Sequence, residues 1–232
     1  MRSTSKFIFL VLLATLVVAV PSEISAPQEV SGSCTPRPRK EMKLSVRIIS
    51  GTHRGTALAE VGKGDAAAHL RPTTDRVRES LFNVLQGGRF GDPISGARVL
   101  DLFAGTGALG LEALSRGAAH VTFVDSGRAA QKLIAANITK LRRAADTQLI
   151  STDITRLPAG LPCDLIFLDP PYGQGLGQKA LTTAKDKGWI APAALIVWEE
   201  ASAQIAPGPA ADGGRYFGRR SWPTVTVAVL GV

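Results

Sequence analysis

The stretch Val99-Leu100-Asp101-Leu102-Phe103, followed at once by Ala104-Gly105-Thr106-Gly107-Ala108-Leu109-Gly110, constrains this chain more than any other feature. A run that is apolar on both sides of its alternation, apart from one acid, suits a strand covered by helices on both faces. The glycines then demand a tight strand-to-helix turn, and they leave the backbone open to close approach by a ligand. The same rhythm continues downstream. Strand-like runs at Val99–Phe103, Val121–Asp125, Thr147–Ser151, Leu165–Asp169 and Leu195–Glu199 alternate with helical patterns near Ala108–Arg116, Arg128–Leu141 and Gly177–Lys187. This predicts an α/β fold around a mostly parallel sheet. Gly214–Phe217, a turn near Gly218 and Thr224–Leu230 change the rhythm and predict a closing antiparallel strand pair. Ahead of the sheet, Val46–Ser50 and Thr56–Val61 flank Gly51-Thr52-His53-Arg54-Gly55 as a hairpin. Thr74 or Asp75 then caps a helix with Val77, Leu81, Phe82 and Leu85 at helical spacing, ended by Gly87-Gly88.

The amino terminus has a different character. Phe7 to Val20 is fourteen residues without a charge, preceded by Arg2 and Lys6 and ended by Pro21. A membrane span needs about 17–25 residues, so the run resembles the apolar region of a secretory signal instead. Its cleavage chemistry is poor, because Pro27 would directly follow a cut after Ala26. Residues 21–41 read as linker. Met42 opens a chain that makes sense by itself, so the organisation expected is a tail over 1–41, a hairpin-and-helix extension over 42–92, and the sheet domain over 93–232. The tail is read either as the product of an upstream start, leaving a cytoplasmic protein, or as a targeting or anchoring segment. Two cysteines, Cys34 and Cys163, are too few for a disulfide framework or a four-ligand zinc site. The net charge of +8 is densest over residues 42–100, which hold half of it. That favours a polyanionic partner there, although a solvated basic face has the same composition.

Gly105-x-Gly107-x-x-Gly110 satisfies the dinucleotide fingerprint of Rossmann-like folds, with Asp125 twenty residues on. Asp101 distinguishes the ligand. A carboxylate beside a pyrophosphate is repelled, whereas a ligand bearing a protonated amine and a sulfonium is attracted. This favours S-adenosylmethionine (SAM) over NAD, with Asp101, Phe103, Ala104, Gly105, Thr106 and Gly107 around it. Asp125, ending the next strand, can accept from ribose hydroxyls, and Asp153, after the third, from an adenine amino group. Each acid alone could simply cap a helix. Three of them after three successive strands agree with ligands gathering at the carboxyl ends of such sheets.

The second motif is Asp169-Pro170-Pro171-Tyr172, following the apolar run Leu165-Ile166-Phe167-Leu168. An exocyclic amine on a nucleobase is a poor nucleophile because its lone pair is delocalised into the ring. If Asp169 and the Pro170 carbonyl accept its N–H protons, the nitrogen becomes more tetrahedral and its lone pair can point at a methyl donor. Tyr172 can stack on the base. Acceleration then comes from positioning and from acceptors preorganised for the developing charge, with no metal required. The prolines hold the acceptors rigid.

From about Arg47 onward the chain resembles the RsmD family of bacterial small-subunit (16S) ribosomal RNA guanine N(2)-methyltransferases. Beyond the two motifs, the resemblance rests on Arg47-Ile48-Ile49-Ser50-Gly51 with Arg54-Gly55, and on Arg71-Pro72-Thr73-Thr74-Asp75-Arg76-Val77-Arg78-Glu79-Ser80-Leu81-Phe82-Asn83. It implies a class I SAM-dependent methyltransferase fold, SAM as methyl donor, and a guanine of 16S rRNA, within the small subunit or an assembly intermediate, as target. It also implies that Asp101, Gly105, Gly107, Asp125 and Asp153 line the SAM site and that Asp169 to Tyr172 meet the target amine. The family often has glutamate where Asp125 stands and a more basic hairpin than Thr56-Ala57 provides. Aspartate keeps the charge at shorter reach, and fewer phosphate contacts would weaken the grip on RNA.

Arg47, Arg54, Arg71, Arg76 and Arg78, with Arg215, Arg219 and Arg220 beside Tyr216 and Trp222, form the expected RNA surface, since arginine pairs with phosphates and stacks on bases. Internal ion pairs of Arg76 or Arg78 with Asp75 or Glu79 are the alternative. Lys140, Arg142 and Arg143 suit a helix carboxyl end, and His53 is assigned no catalysis. Three rival readings share parts of the pattern. An NAD enzyme has no use for Asp-Pro-Pro-Tyr, a DNA amino-methyltransferase usually carries a separate recognition region, and a tethered non-enzymatic binding protein would keep the fold alone. Removing residues 1–41 is expected to leave methyl transfer and yield of folded protein unchanged. Loss of either in a side-by-side assay would make the tail part of the fold.

Overall fold

The computed structural model describes residues 46–59, 75–171, 174–201, 215–221 and 225–231. All of them lie in one unit, Lys43–Val232. The apolar run 7–20, Arg71, Tyr172 and Trp222 lie outside the described residues. Among the described residues no helix is long and apolar enough to cross a membrane.

Strands β1 (Arg98–Leu102), β2 (His120–Val124), β3 (Thr147–Ile150), β4 (Cys163–Leu168), β5 (Ile190–Ala201), β6 (Arg215–Ser221) and β7 (Val225–Gly231) form one sheet in the order β3-β2-β1-β4-β5-β7-β6. The first five run parallel, and β7 enters antiparallel to β5 and β6. This is the expected Rossmann-like arrangement with its antiparallel closing pair. Most strand limits shift by one or two residues, and two strands of the sheet differ from the sequence reading by more. β5 is much longer than Leu195–Glu199, because Ile190 already pairs with Cys163 of β4 and β7 pairs with the strand as far as Ala201. Gly218 is not a turn: the register against β7 shifts between Tyr216 and Gly218, and the strand continues to Ser221. A glycine inside a strand often marks such a bulge.

Helices α1 (Asp75–Leu85), α2 (Ala108–Ser115), α3 (Arg128–Leu141) and α4 (Leu176–Asp186) cover the sheet. Successive residues of each strand face opposite sides, which divides the core in two. Val99, Val121, Phe123, Leu165, Phe167, Leu195 and Val197 pack with Ile48, Leu58, Phe82, Leu85 and Ile134 on one face. Leu100, Leu102, Val124, Ile166, Leu168 and Trp198 pack with Ala180 and Ala184 of α4 on the other.

Helix α2 buries every residue from Leu109 to Ser115. A helix apolar nearly all round needs cover on both sides, and the amino-terminal hairpin supplies it. The hairpin itself is slight. Arg47 bridges Ala57, Ile48 donates to the carbonyl of Thr56, and Leu58 donates to that of Val46. Gly55, Arg54 and Thr56 donate to the Ile48, Gly51 and His53 carbonyls within it, and the amides of Ile49, Ser50, Thr52 and His53 are met by groups of α2. The carboxylate of Glu112 accepts from Ile49 at 2.7 Å and Ser50 at 3.0 Å. Ser115 donates its hydroxyl to the Ser50 carbonyl and accepts the His53 amide, while its carbonyl accepts the Thr52 amide. Gly51 fits only because it has no side chain: a Cβ there would lie 1.8 Å from the Ser115 carbonyl oxygen.

Glu112 is fully buried and also meets Arg116 Nε at 2.7 Å and Arg78 Nε at 3.9 Å. Removing one member of a buried ion pair costs about 3–5 kcal/mol, because the other charge is stranded. Glu112→Ala is therefore expected to destabilise the fold by about that much in urea titration, and Glu112→Gln, which keeps an acceptor, by less.

Candidate active site

The parallel ladder lines up the ends of four strands. Leu102 pairs with Val124 on one side and Leu168 on the other, and Val124 pairs with Ile150. The residues that follow, Phe103, Asp125, Ser151 and Asp169, therefore emerge side by side at the carboxyl edge. Three main-chain bonds carry the alignment one step past the strands. Ala104 donates to the Val124 carbonyl, Asp125 to Ile150, and Asp169 to Leu102 at 3.4 Å. Thus the glycine turn and the Asp169-Pro170 step sit on adjacent strand ends. Asp169 is half-buried, Pro170 buried and Pro171 exposed.

The turn between β1 and α2 is held in a left-handed backbone. Phe103, Gly105 and Gly107 have φ of 61°, 57° and 76°. For Phe103 this conformation costs about 1–3 kcal/mol and persists only because its surroundings enforce it, a situation that gathers at functional sites. The enforcing bonds are short: Gly107 donates to the Ala104 carbonyl at 2.7 Å and Gly105 to Asp125 Oδ2 at 2.8 Å. Asp125 Oδ1 accepts from Gly127 at 2.7 Å. Each carboxylate oxygen has a second lone pair, so Asp125 can brace the turn and still accept a ligand hydroxyl. Thr106 is buried, and its carbonyl accepts from Asn137 Nδ2 at 3.0 Å.

Asp101 lies inside the face covered by α2, only 1% exposed, with Oδ2 accepting the Gly110 amide at 2.9 Å. Gly110 is a place of close approach, since a Cβ there would meet the Phe123 ring at 2.5 Å and Asp101 Oδ2 at 3.0 Å. Burial pushes the Asp101 carboxyl up to about 8, with the Gly110 bond opposing this and the charge of Asp125 adding to it. A buried acid of this kind suits a cationic group that would draw it into its charged form.

Asp153 is exposed at the start of a short 3-10 helix, Ile154–Arg156. Its Oδ1 accepts from the amide and hydroxyl of Thr155, which holds its pKa below the ordinary carboxylate range. The capping role that any such acid could have is thus occupied by one oxygen.

The arginines separate. Arg47 and Arg76 are exposed, Arg47 with Nε 3.4 Å from Asp75 Oδ2. Arg54 is exposed at the hairpin tip, which is bonded to Ser115 at the far end of α2. Eight residues of helix at about 1.5 Å each place that tip about 12 Å along from the glycine turn, at the opposite edge of the sheet. Arg78, counted among the surface arginines, is instead fully buried. It bonds the Arg47 carbonyl and pairs with Asp75 at 2.9 Å, and desolvation lowers its pKa. An apolar stripe of α1 that includes Arg78 faces the core, so this arginine ties the extension to α2 and is not offered to solvent. Arg215, Arg219, Arg220 and Tyr216 are in β6, with side chains outside what is described.

His53 has partners that the sequence does not reveal. Its Nε2 is 3.4 Å from Arg143, and burial together with that charge lowers its pKa. Lys140 bonds the Ala57 carbonyl and Arg143 pairs with Asp146 at 2.6 Å, so both do more than suit a helix end. Three buried polar residues escape the sequence reading altogether, Glu112, Ser115 and Asn137. The available signal is a polar residue inside an apolar helical stripe, since Asn137 lies among Ile134, Ile138 and Leu141.

Asp101→Asn keeps an oxygen for the Gly110 amide and removes the titration. Without ligand, the folded protein holds a proton on Asp101 up to about pH 8 that the unfolded chain releases near about 3.9, so stability falls as pH rises through that window. The melting temperature of the variant relative to the parent is expected to climb between about pH 5 and about pH 8. A constant difference would mean that the carboxyl is ionised throughout.

Comparison with known proteins agrees with this geometry. The family described as Conserved hypothetical protein 95 matches residues 46–211. Ribosomal RNA small subunit methyltransferase D of Escherichia coli is 39% identical over 165 residues, covering 70% of this chain and 78% of that protein. The protein of the same name in Haemophilus influenzae is 36% identical over 162 residues, covering 68% and 79%. Among solved structures, Escherichia coli yhhF superposes with a TM-score of 0.68 at 35% identity, covering 81% of this chain and 97% of that one. Haemophilus influenzae HI0767 gives 0.63 at 29%, covering 81% and 98%. With a strand-end site of this design and relatives of this closeness, the chain belongs to the RsmD family of methyltransferases.

Proposed function

We propose that this protein transfers a methyl group from SAM to the 2-amino group of a guanine in 16S ribosomal RNA. The observation that carries the reading is the adjacency of two strand ends, where Asp169 donates its amide to Leu102 at the root of the glycine turn. Family membership supports it, since relatives at 36–39% identity are named as ribosomal RNA small subunit methyltransferases.

The residues fit such a donor. The turn Phe103 to Gly107 offers an open backbone, Asp101 a buried carboxyl for a cationic amine, and Asp125 a lone pair on each oxygen for ribose hydroxyls. Asp153 is the candidate for the adenine end. When bound, SAM supplies an electrophilic methyl group on sulfur. The chain's own part is to orient the amine. The Asp169 carboxylate and the Pro170 carbonyl accept its two N–H protons, which draws the nitrogen out of conjugation with the ring. Pro170, buried, and Pro171 fix the main chain that bears these acceptors. Tyr172 is assigned to stack on the base. A guanine within a helix must be extruded at a cost of a few kcal/mol, so a loop target is the less demanding one. Arg47, Arg76 and Arg54 are candidates for the RNA backbone, with Arg54 serving a part of the RNA far from the target base. Arg71, Arg219 and Arg220 remain candidates by sequence.

Asp169→Ala is expected to lower methyl transfer to small-subunit RNA by at least about a hundredfold, in the range for loss of one preorganised polar group. SAM binding by calorimetry should persist. Mass spectrometry of rRNA from cells with and without the gene tests the base, and equal loss of binding and turnover in the variant would show that the wrong acid has been assigned.

A further inference from the structure

Asn137 is fully buried on α3, in the stripe that packs against the sheet. Its amide faces two ways. Oδ1 accepts the amide of Ala59 at 2.6 Å, and Nδ2 donates to the carbonyl of Thr106 at 3.0 Å. Both groups are main-chain, so only one orientation of the side-chain amide satisfies them, with oxygen toward the N–H and nitrogen toward the C=O. Thr106 lies between Gly105 and Gly107, at the centre of the glycine turn. Ala59 lies in the amino-terminal segment, which Lys140 secures to the same helix through the Ala57 carbonyl.

The turn needs such a hold. The peptide between Thr106 and Gly107 is followed by a glycine at φ 76°, and glycine accepts alternative backbone angles at little steric cost. Rotation of that peptide would swing the Thr106 carbonyl away from α3 and change the backbone that a ligand meets. The donor at Asn137 selects one orientation. Without it the buried carbonyl would be left unsatisfied, which favours the rotated form.

We propose that Asn137 is a positioning residue that holds the cofactor turn in its binding shape and couples it to the amino-terminal segment at Ala59. It touches neither the donor nor the target base. The functional part of the inference rests on the reading of this turn as the SAM site.

Two substitutions separate the halves of the interaction. Asn137→Asp keeps an acceptor for Ala59 and sets an oxygen, in place of a donor, against the Thr106 carbonyl. Ala59→Pro removes the N–H on the other side and leaves α3 intact. At about pH 8, SAM affinity measured by calorimetry is expected to fall at least about tenfold in Asn137→Asp, as a lost hydrogen bond joined by repulsion requires. It should recover toward the parent value as pH falls, because the protonated carboxyl donates as the amide did. Simple loss of packing would show no such recovery. Asp101 beneath the turn titrates near the upper end of this range, and Asp125 and Lys140 carry charge nearby, so variant and parent are compared at each pH. Ala59→Pro should weaken SAM several-fold from outside the site.

Amide exchange at Gly105–Gly107, read without ligand, should quicken in both variants. Parent-like affinity at every pH in a folded Asn137→Asp protein, or unchanged exchange in the turn, would overturn the proposal. A parent that fails to bind SAM would overturn the reading of the turn instead, while the exchange measurement still decides whether Asn137 holds it.

Discussion

The parallel hydrogen-bond ladder is the constraint on which the rest of this molecule depends. Because β1, β2, β3 and β4 pair in register up to Leu102, Val124, Ile150 and Leu168, their connections leave the sheet at one level. A shift of one residue in any pair would turn that strand's side chains to the opposite face. The alternating core prevents this, since Val99 and Phe123 fit the side of α2 and α3 while Leu100 and Val124 fit the other. Residues spread over about seventy positions of sequence are thereby gathered at one edge.

The amino-terminal extension is joined to the sheet domain by polar groups as well as by its few core residues. Ile48 and Leu58 contribute apolar contact, but a hairpin this short cannot satisfy its own backbone. Glu112, Ser115, Asn137 and Lys140 take the place of a neighbouring strand by offering side-chain or terminal acceptors and donors to it. Buried polar groups are tolerated when bonded, and those of Glu112, Ser115 and Asn137 fix one relative placement of hairpin, helices and turn. The burial of Arg78 belongs to the same network, answering the charge of Glu112 from the side of α1.

The site itself is built against stability. Phe103 holds a left-handed backbone and Asp101 a buried carboxyl. Both are costs that a purely structural turn would avoid, since a neutral residue could receive the Gly110 amide equally well. On the proposed reading of the turn as the SAM site, they are preorganisation for a positively charged ligand, whose charge would offset the acid's desolvation.

The alternation of strands and helices, the glycine turn, the acids at the strand ends and the Asp-Pro-Pro step were legible in the sequence because each is a local pattern. Apolar runs, glycines and prolines impose their geometry on their immediate neighbours whatever surrounds them. Strand lengths at the carboxyl end were less legible, since β5 is extended by pairing with both β4 and β7, and β6 by pairing with β7. The distinction between Arg76, exposed, and Arg78, buried, was invisible two residues apart in a basic stretch. So were the roles of Glu112 and Asn137, which read as ordinary helical residues. Their partners lie 31 to 78 residues away in sequence, and no local rule specifies which distant main-chain groups will need an acceptor or a donor. The sequence by itself determined what chemistry the chain could perform and on which kind of sheet. Only the packed structure decided which charges are spent on holding it together, because burial and hydrogen-bond demand are properties of neighbours in space.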